Sequence, residues 1–461
     1  GPPAWRSRAR SADGGRMPDE KLTGHRAVSL GGSPFAATVP AVVSAIGFGL
    51  LALGWLLAAR WLPGGRWVVV HLFTLGVLTT LIAAFTRHFA TSFTGQGAPT
   101  DVRRAIVAAV VLDASVIALL AGRLTHGRAL LGLGTLGLLG VIGTNLAALR
   151  RARHAARAPR FVWIVRRYED AHLAFLAGAV AGTTVGIGAV GGSWFAGVRD
   201  AHLHLNVLGW SGLTVLATVV VFGPALLRAR MRPGADGRAS TALRAAAVAL
   251  AVVVVGLVVA GGAAGDVATV ARVATVLALM VYGWAVVVVV TALIGAAASS
   301  DRSPLRWPII AVGVWFIAGV GLDVVAVATV QRRMFDIVGV VLFVGVLAQL
   351  ILAVLLHLAP QLRGRDFASR DVILHRTERF ARSRTVLLNL GVLVVVAATT
   401  VEVLGDLVTG PSVRVGWVSI ALGIAAHLAP ATWPLGRVDP DQVRSASAAR
   451  YRSGPDQEGR P

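Results

Sequence analysis

Residues 67–86 read WVVVHLFTLGVLTTLIAAFT, without one Lys, Arg, Asp or Glu. A helix of this length rises about 30 Å, the thickness of a bilayer's hydrocarbon core. Similar apolar runs lie on both sides of it, at 35–59, 103–122, 129–149, 171–191, 202–227, 242–262, 273–297, 307–329, 337–358, 385–405 and 413–429. Val, Leu, Ala and Gly dominate them with no period of two, which points to helices and away from a β-barrel. Hydrophobic residues make up 56% of the chain and charged residues 14%, so a soluble three-domain reading is excluded. The expected fold is all-α: a polytopic membrane protein of about twelve transmembrane helices at 35–429. The polar segments 1–34 and 430–461, rich in Gly, Pro, Ser and Arg, read as disordered tails.

The net charge of +22 would suit a nucleic-acid partner, but its placement argues against one. Of the 44 Lys and Arg residues, only Arg60, Arg66, Arg123, Arg128, Arg199, Arg272, Arg332, Arg333 and Arg414 fall in the loops on one side. The rest lie in the alternate loops and the tails. This is the positive-inside pattern, with both termini cytoplasmic and an even number of helices. The basic loops set topology and touch anionic lipid. Nearly every basic residue is Arg, a composition that suggests a GC-rich bacterial genome and hence the plasma (cell inner) membrane. The first apolar run is too long for the core of a cleavable signal. There is no cysteine, which removes disulfides, thiolate ligands, iron–sulfur clusters and covalent haem attachment.

Seven of the eleven histidines stand at the ends of these runs, several in phrases that recur. His71 and His204 both open His-Leu-x-x-Leu-Gly. His172 and His202 both lie in Asp-Ala-His-Leu. His357 and His427 both lie in His-Leu-Ala-Pro. Imidazole is a common ligand of haem iron and copper, and it is costly in a membrane without a partner. Topology sorts the seven into an outer group (His71, His202, His204) and an inner group (His88, His172, His357, His427).

The outer group carries the main candidate site. His71 and His204 are the expected cofactor ligands, on two equivalent helices. His202 is two residues from His204, about 200° around a helix, so it reads as a supporting residue or a metal partner of His204. Asp200 is placed to cap the helix or to orient a ring nitrogen. His172, His357 and His427 form a second, inner candidate, although Pro360 and Pro430 also read as ordinary helix stops. Asp113, near the middle of the third run, is a candidate for a proton path. Asp323 reads as a counter-charge for the outer site or as the partner of an interfacial Arg. Asn145, Asn206 and Asn389 read as helix-to-helix bonds. Trp61, Trp67, Trp194 and Trp210 read as an interfacial belt. His25, His126, His154 and His375 fall in tails or loops.

Twelve helices with both ends inside, and a His near the outer end of the second, resemble subunit I of the haem–copper oxidases. That resemblance implies three arcs of four helices around a pseudo-three-fold axis. It implies a low-spin haem ligand at His71, and a copper ligand at His202 or His204. The chain departs from that family where oxygen is reduced. Run 242–262 has no histidine, 331–341 offers only Met334, and the sixth run has no tyrosine. The stretches His71-Leu-Phe-Thr-Leu-Gly and Ala201-His-Leu-His-Leu-Asn-Val-Leu-Gly-Trp are more similar to two relatives of that family. These are the NnrS-type haem- and copper-binding membrane proteins, and the membrane portion of actinobacterial multicopper oxidases of nitrite-reductase type.

The implied function is haem b or copper binding, in electron transfer or in nitric-oxide or copper handling. A separate periplasmic or extracellular cupredoxin-type protein would be the partner. Any enzymatic activity would be that of an oxidoreductase. Two other readings stay open: a secondary transporter with a midplane site near Asp113, and a non-catalytic anchor or assembly subunit whose histidines are interfacial ends.

Overall fold

A computed structural model describes residues 35–298, 303, 305–363, 367–405 and 410–432. Among them there is no strand. The long helices are α1 (Ala36–Leu57), α2 (Gly65–Phe93), α3 (Val102–Leu124), α4 (Arg128–His154), α5 (Val162–Gly186), α6 (Trp194–Leu226), α7 (Ala235–Gly262), α8 (Gly265–Ala298), α9 (Arg306–Ala328), α10 (Met334–Pro360), α11 (Ala381–Val403) and α12 (Gly410–Pro430). A short helix, Phe367–Glu378, stands between α10 and α11.

Eleven of these helices are long and apolar enough to cross a membrane, which makes the protein an all-α polytopic membrane protein. The remaining one is α5. It is 25 residues long, but its first third carries Arg166, Arg167, Glu169 and Asp170. Pairing lowers the burden of those charges: Arg153 bonds Glu169 at 2.7 Å, and Arg167 reaches Asp170 at 2.9 Å. The apolar part of α5 ends at Gly186, short of the expected 191. The chain then turns through Gly188 and Gly192, both at positive φ, a backbone region open to glycine.

Turn chemistry sets the other helix starts. Asp101 caps α3, its Oδ1 accepting the Arg104 backbone N–H at 2.9 Å. Pro40 lies in the first turn of α1, where its missing N–H is harmless. Gly64, at φ +76°, leads into α2.

Three helices stand apart. In α2, α6 and α10, 56%, 67% and 61% of the apolar window is buried, against 22–44% in the other eight spans. These three are therefore the interior helices. Each also contains a π-helical segment: Leu72–Thr79, Leu205–Leu213 and Val341–Ala348. They are the second, sixth and tenth long helices, so the irregularity recurs every fourth helix. In each, a glycine five residues past the position before the segment receives a neighbour's side chain. A Cβ on Gly76 would strike Phe48 of α1, one on Gly209 would strike Ala174 of α5, and one on Gly345 would strike Trp315 of α9. A widened turn leaves carbonyls that the regular ladder does not use, and side chains take them. Thr79 Oγ1 donates to Thr74 O at 2.9 Å, Ser211 Oγ to Asn206 O at 3.2 Å, and Tyr282 Oη to Leu208 O at 2.8 Å.

The interior helices are also tied to each other. Trp210 is buried, and its Nε1 donates to Thr79 Oγ1 at 3.1 Å, joining α6 to α2. It is a core residue and not part of an interfacial belt; the indole found a polar partner inside the bundle. Trp61 and Trp194 are exposed, as a belt requires. Asn145 and Asn389 do bond helix to helix: Asn145 Nδ2 donates to Ala83 O at 2.9 Å, and Asn389 Oδ1 accepts from Trp315 Nε1 at 2.6 Å. Asn206 instead donates to His202 O on its own helix, at 2.8 Å.

Candidate functional site

His71 and His202 face each other. Their ring centroids are 6.5 Å apart and their planes differ by only 10°. His71 is six residues into α2, about 9 Å along the axis from its first residue. His202 occupies the matching end of α6, before the π-helical segment.

Both rings are anchored in the same way. His71 Nδ1 donates to the Trp67 carbonyl at 2.8 Å, and Trp67 stacks on the ring at a centroid distance of 4.0 Å. His202 Nδ1 donates to the Gly178 carbonyl of α5 at 2.7 Å. Nε2 of each ring then carries the lone pair, and neither Nε2 has a hydrogen-bond partner among the described residues. A carbonyl on Nδ1 that fixes the tautomer and aims the other nitrogen is the usual support of a ligating histidine. Gly182 makes room for His202: a Cβ there would lie 2.5 Å from Cε1 and 2.6 Å from Nδ1.

His204 points elsewhere. It is buried, its Nδ1 donates to the Asp200 carbonyl at 2.8 Å, and its Nε2 lies 3.1 and 3.2 Å from the two carboxylate oxygens of Asp323. A ring lone pair and a carboxylate oxygen do not attract, so a proton is shared between them. Phe335 of α10 packs edge-on against the ring. The expectation that His71 and His204 converge therefore differs from the geometry: His71 meets His202, and His204 meets Asp323. Among the described residues Asp323 pairs with this histidine and with no arginine; Arg332 reaches Asp200 instead, at 3.6 Å, alongside Arg199 at 3.5 Å. Asp200 supports His204 through its backbone carbonyl, and α6 starts earlier, after Ser193, so Asp200 caps nothing.

The inner histidines do not come together as a metal site. His172 is fully buried and fully bonded: Nδ1 donates to Tyr168 O at 2.6 Å, and Nε2 accepts from Asn145 Nδ2 at 2.9 Å. His357 packs edge-on against Phe222, and His427 Nδ1 donates to Gly423 O at 2.7 Å. His88 stacks on Phe35. Among the described residues no group of three His, Cys, Asp or Glu side chains is placed to hold a metal ion. Asp113 accepts a hydrogen bond from Ser44 Oγ of α1 at 2.6 Å. His126 and His154 are exposed, while His25 and the side chain of His375 lie outside the described residues.

The outer pair offers two neutral imidazole nitrogens, a donor type that haem iron and copper accept. An imidazole nitrogen bonds a metal at about 2 Å, so two rings facing across one ion have centroids about 6 Å apart. The His71 and His202 centroids are 6.5 Å apart, a separation of that order. An open apolar groove of about 690 Å³ runs beside α6, lined by Ala201 and Leu205 together with Leu176, Ala177 and Val180 of α5. Neither His71 nor His202 lines it. No protein-family profile matches the chain, and no curated protein matches it. What the site does must therefore be argued from its own residues.

Proposed function

We propose that this is an integral membrane haem- or copper-binding protein of electron transfer or of nitric-oxide or copper handling, with His71 and His202 as the ligand pair. One observation carries this reading: two parallel imidazoles 6.5 Å apart, each held by a backbone carbonyl at Nδ1 and each with an unpartnered Nε2. A haem iron or copper ion bound there would supply one-electron chemistry. The protein's part is to fix both tautomers and hold the rings parallel. In this reading the site lies near the outer face of the plasma membrane, both termini are cytoplasmic, and a separate cupredoxin-type protein exchanges electrons at the outer end. The π-helical irregularity at every fourth helix supports three arcs of four, as in the haem–copper oxidase architecture. It argues against the two-half repeat of a secondary transporter. Asp113 accepts from Ser44 through Oδ2 and does not line the groove beside α6, which further weakens a midplane transport site.

The test is purification from membranes, followed by an absorbance spectrum and elemental analysis. Haem or copper is expected, and His71→Ala and His202→Ala each lose it. His204→Ala retains it with reduced stability. A wild-type protein with neither haem nor copper after supplementation of the growth medium sinks the proposal.

A further inference from the structure

The opposite, arginine-rich end of the bundle carries a separate pocket. Arg87 at the end of α2, Arg104 at the start of α3 and Arg151 at the end of α4 line one hollow of about 240 Å³. None of the three forms an ion pair with a described residue. Arg87 is half-buried, and the charges of Arg104, Arg151 and Asp101 all bear on it. Asp101 is the one carboxylate among them, and its Oδ1 is engaged with the Arg104 backbone N–H as the α3 cap.

The neighbouring loop is fastened, so the cluster is held and not merely adjacent. Gln96 Nε2 donates to the Ala152 carbonyl and to Thr94 Oγ1, both at 2.7 Å. The backbone N–H groups of Arg157 and Ala158 donate to the Thr94 carbonyl at 2.8 and 3.1 Å. These bonds lock the α2–α3 loop to the end of α4. Three guanidinium groups lining one hollow with a single carboxylate beside them repel one another, and an anion between them removes that repulsion. Guanidinium forks match phosphate oxygens, bonding in pairs. The floor of the pocket is apolar: Ala90, Ala148 and Leu149.

We propose that this pocket binds a phosphate group, supplied by the headgroup of an anionic phospholipid in the adjacent leaflet. Basic pockets between transmembrane helices on the positive side recognise such headgroups. The apolar floor suits the glycerol and the start of an acyl chain, which free phosphate lacks.

The experiment uses the full chain in mild detergent. Phosphatidylglycerol, phosphatidylcholine and inorganic phosphate are titrated separately, with native mass spectrometry and thermal shift as readouts. Wild type is expected to retain and be stabilised by phosphatidylglycerol and not by phosphatidylcholine. The Arg87→Gln/Arg151→Gln variant is expected to bind it about tenfold more weakly, each arginine near the surface contributing several-fold. The charge-matched control, Arg103→Gln/Arg150→Gln, removes two exposed arginines that do not line the pocket and is expected to bind as wild type. Equal weakening in the control overturns the pocket in favour of diffuse surface charge. Stabilisation by inorganic phosphate without a preference for phosphatidylglycerol overturns the lipid source. If the pocket variant fails to fold, the wild-type comparison still decides: equal retention of phosphatidylcholine refutes the proposal.

Discussion

Replacing Asp323 with Leu separates a structural histidine from a ligand. His204 and Asp323 each have 4% of their side chains exposed, and they meet at 3.1–3.2 Å on α6 and α9. Hydrogen bonds between membrane helices average about 0.6 kcal/mol and reach about 1.7 kcal/mol. Removing one partner of a buried charged pair costs more, about 3–5 kcal/mol, because the other charge is left alone. The shared proton between His204 Nε2 and the carboxylate puts this pair at the upper end for a membrane bond. Asp323→Leu and His204→Leu are each expected to destabilise by about 2–4 kcal/mol. The double variant, which leaves no orphan, is expected to fall short of the sum by about 2 kcal/mol. Asp323→Asn keeps a donor for Nε2 and is expected to recover most of the stability.

The assay is equilibrium unfolding in mixed SDS–detergent micelles, read by tryptophan fluorescence, with cofactor content measured in parallel. Additivity within about 0.5 kcal/mol would refute the pairing. So would a His204→Leu protein that keeps its stability and loses its cofactor, because His204 would then be a ligand.

Three further outcomes follow from the packing. Gly182→Ala pushes a methyl group into the His202 ring and is expected to abolish cofactor binding while destabilising the fold by about 1–3 kcal/mol, read by absorbance and unfolding. Gly76→Ala, facing Phe48, is expected to destabilise by a similar 1–3 kcal/mol or about that, whereas Gly140→Ala, facing open space, is expected to be neutral or stabilising by about 0.5–1 kcal/mol in the same unfolding assay. Thr79→Val strands the Trp210 indole N–H and is expected to cost about 0.6–1.7 kcal/mol; no change in unfolding would show that the α2–α6 bond is not formed.

The membrane spans were legible in the sequence because length and apolarity alone define them. Run 67–86 became the interior of α2; the expected ends of most other helices agree within a few residues, but α5, α6, α7 and α8 start seven to nine residues earlier than the apolar runs do. α5 is where that logic thins. Its start is charged, and hydropathy does not register the Arg153–Glu169 pair with α4 or the Arg167–Asp170 pair within α5 that offset those charges. The His-Leu-x-x-Leu-Gly repeat marked two of the three π-helical segments, and its glycines are the notches that receive α1 and α5. The third copy, Val340-Val-Leu-Phe-Val-Gly345, carries the glycine without the histidine and escapes a search on histidine. Pairing was not legible. Which ring meets which depends on how far each helix is rotated about its axis, and a π-helical turn shifts that rotation after the histidine.

The repeat itself explains why His71 and His204 do not meet. Equivalent positions on helices related by rotation about a common axis look into successive interfaces, not at each other, unless they lie on the axis. His71 on α2 looks toward α6, where it finds His202; His204 on α6 looks toward α9 and α10, where it finds Asp323 and Phe335. The surroundings correspond as well. The step along α9 from Trp315, in the Gly345 notch, to Asp323 is the same as the step along α5 from Ala174, in the Gly209 notch, to Gly182. Where one interface has a carboxylate that engages the ring nitrogen, the other has a glycine, and the space is taken by His202. One geometry thus yields a histidine whose second nitrogen is consumed by an acid, and a histidine pair whose second nitrogens are free. Under the proposed function, that difference favours the α2–α6 interface for the ligands. Gly182→Asp sets a carboxylate against the His202 ring as Asp323 stands against His204, and cofactor binding should be lost at a stability cost no smaller than that of Gly182→Ala, read in the same absorbance and unfolding assays.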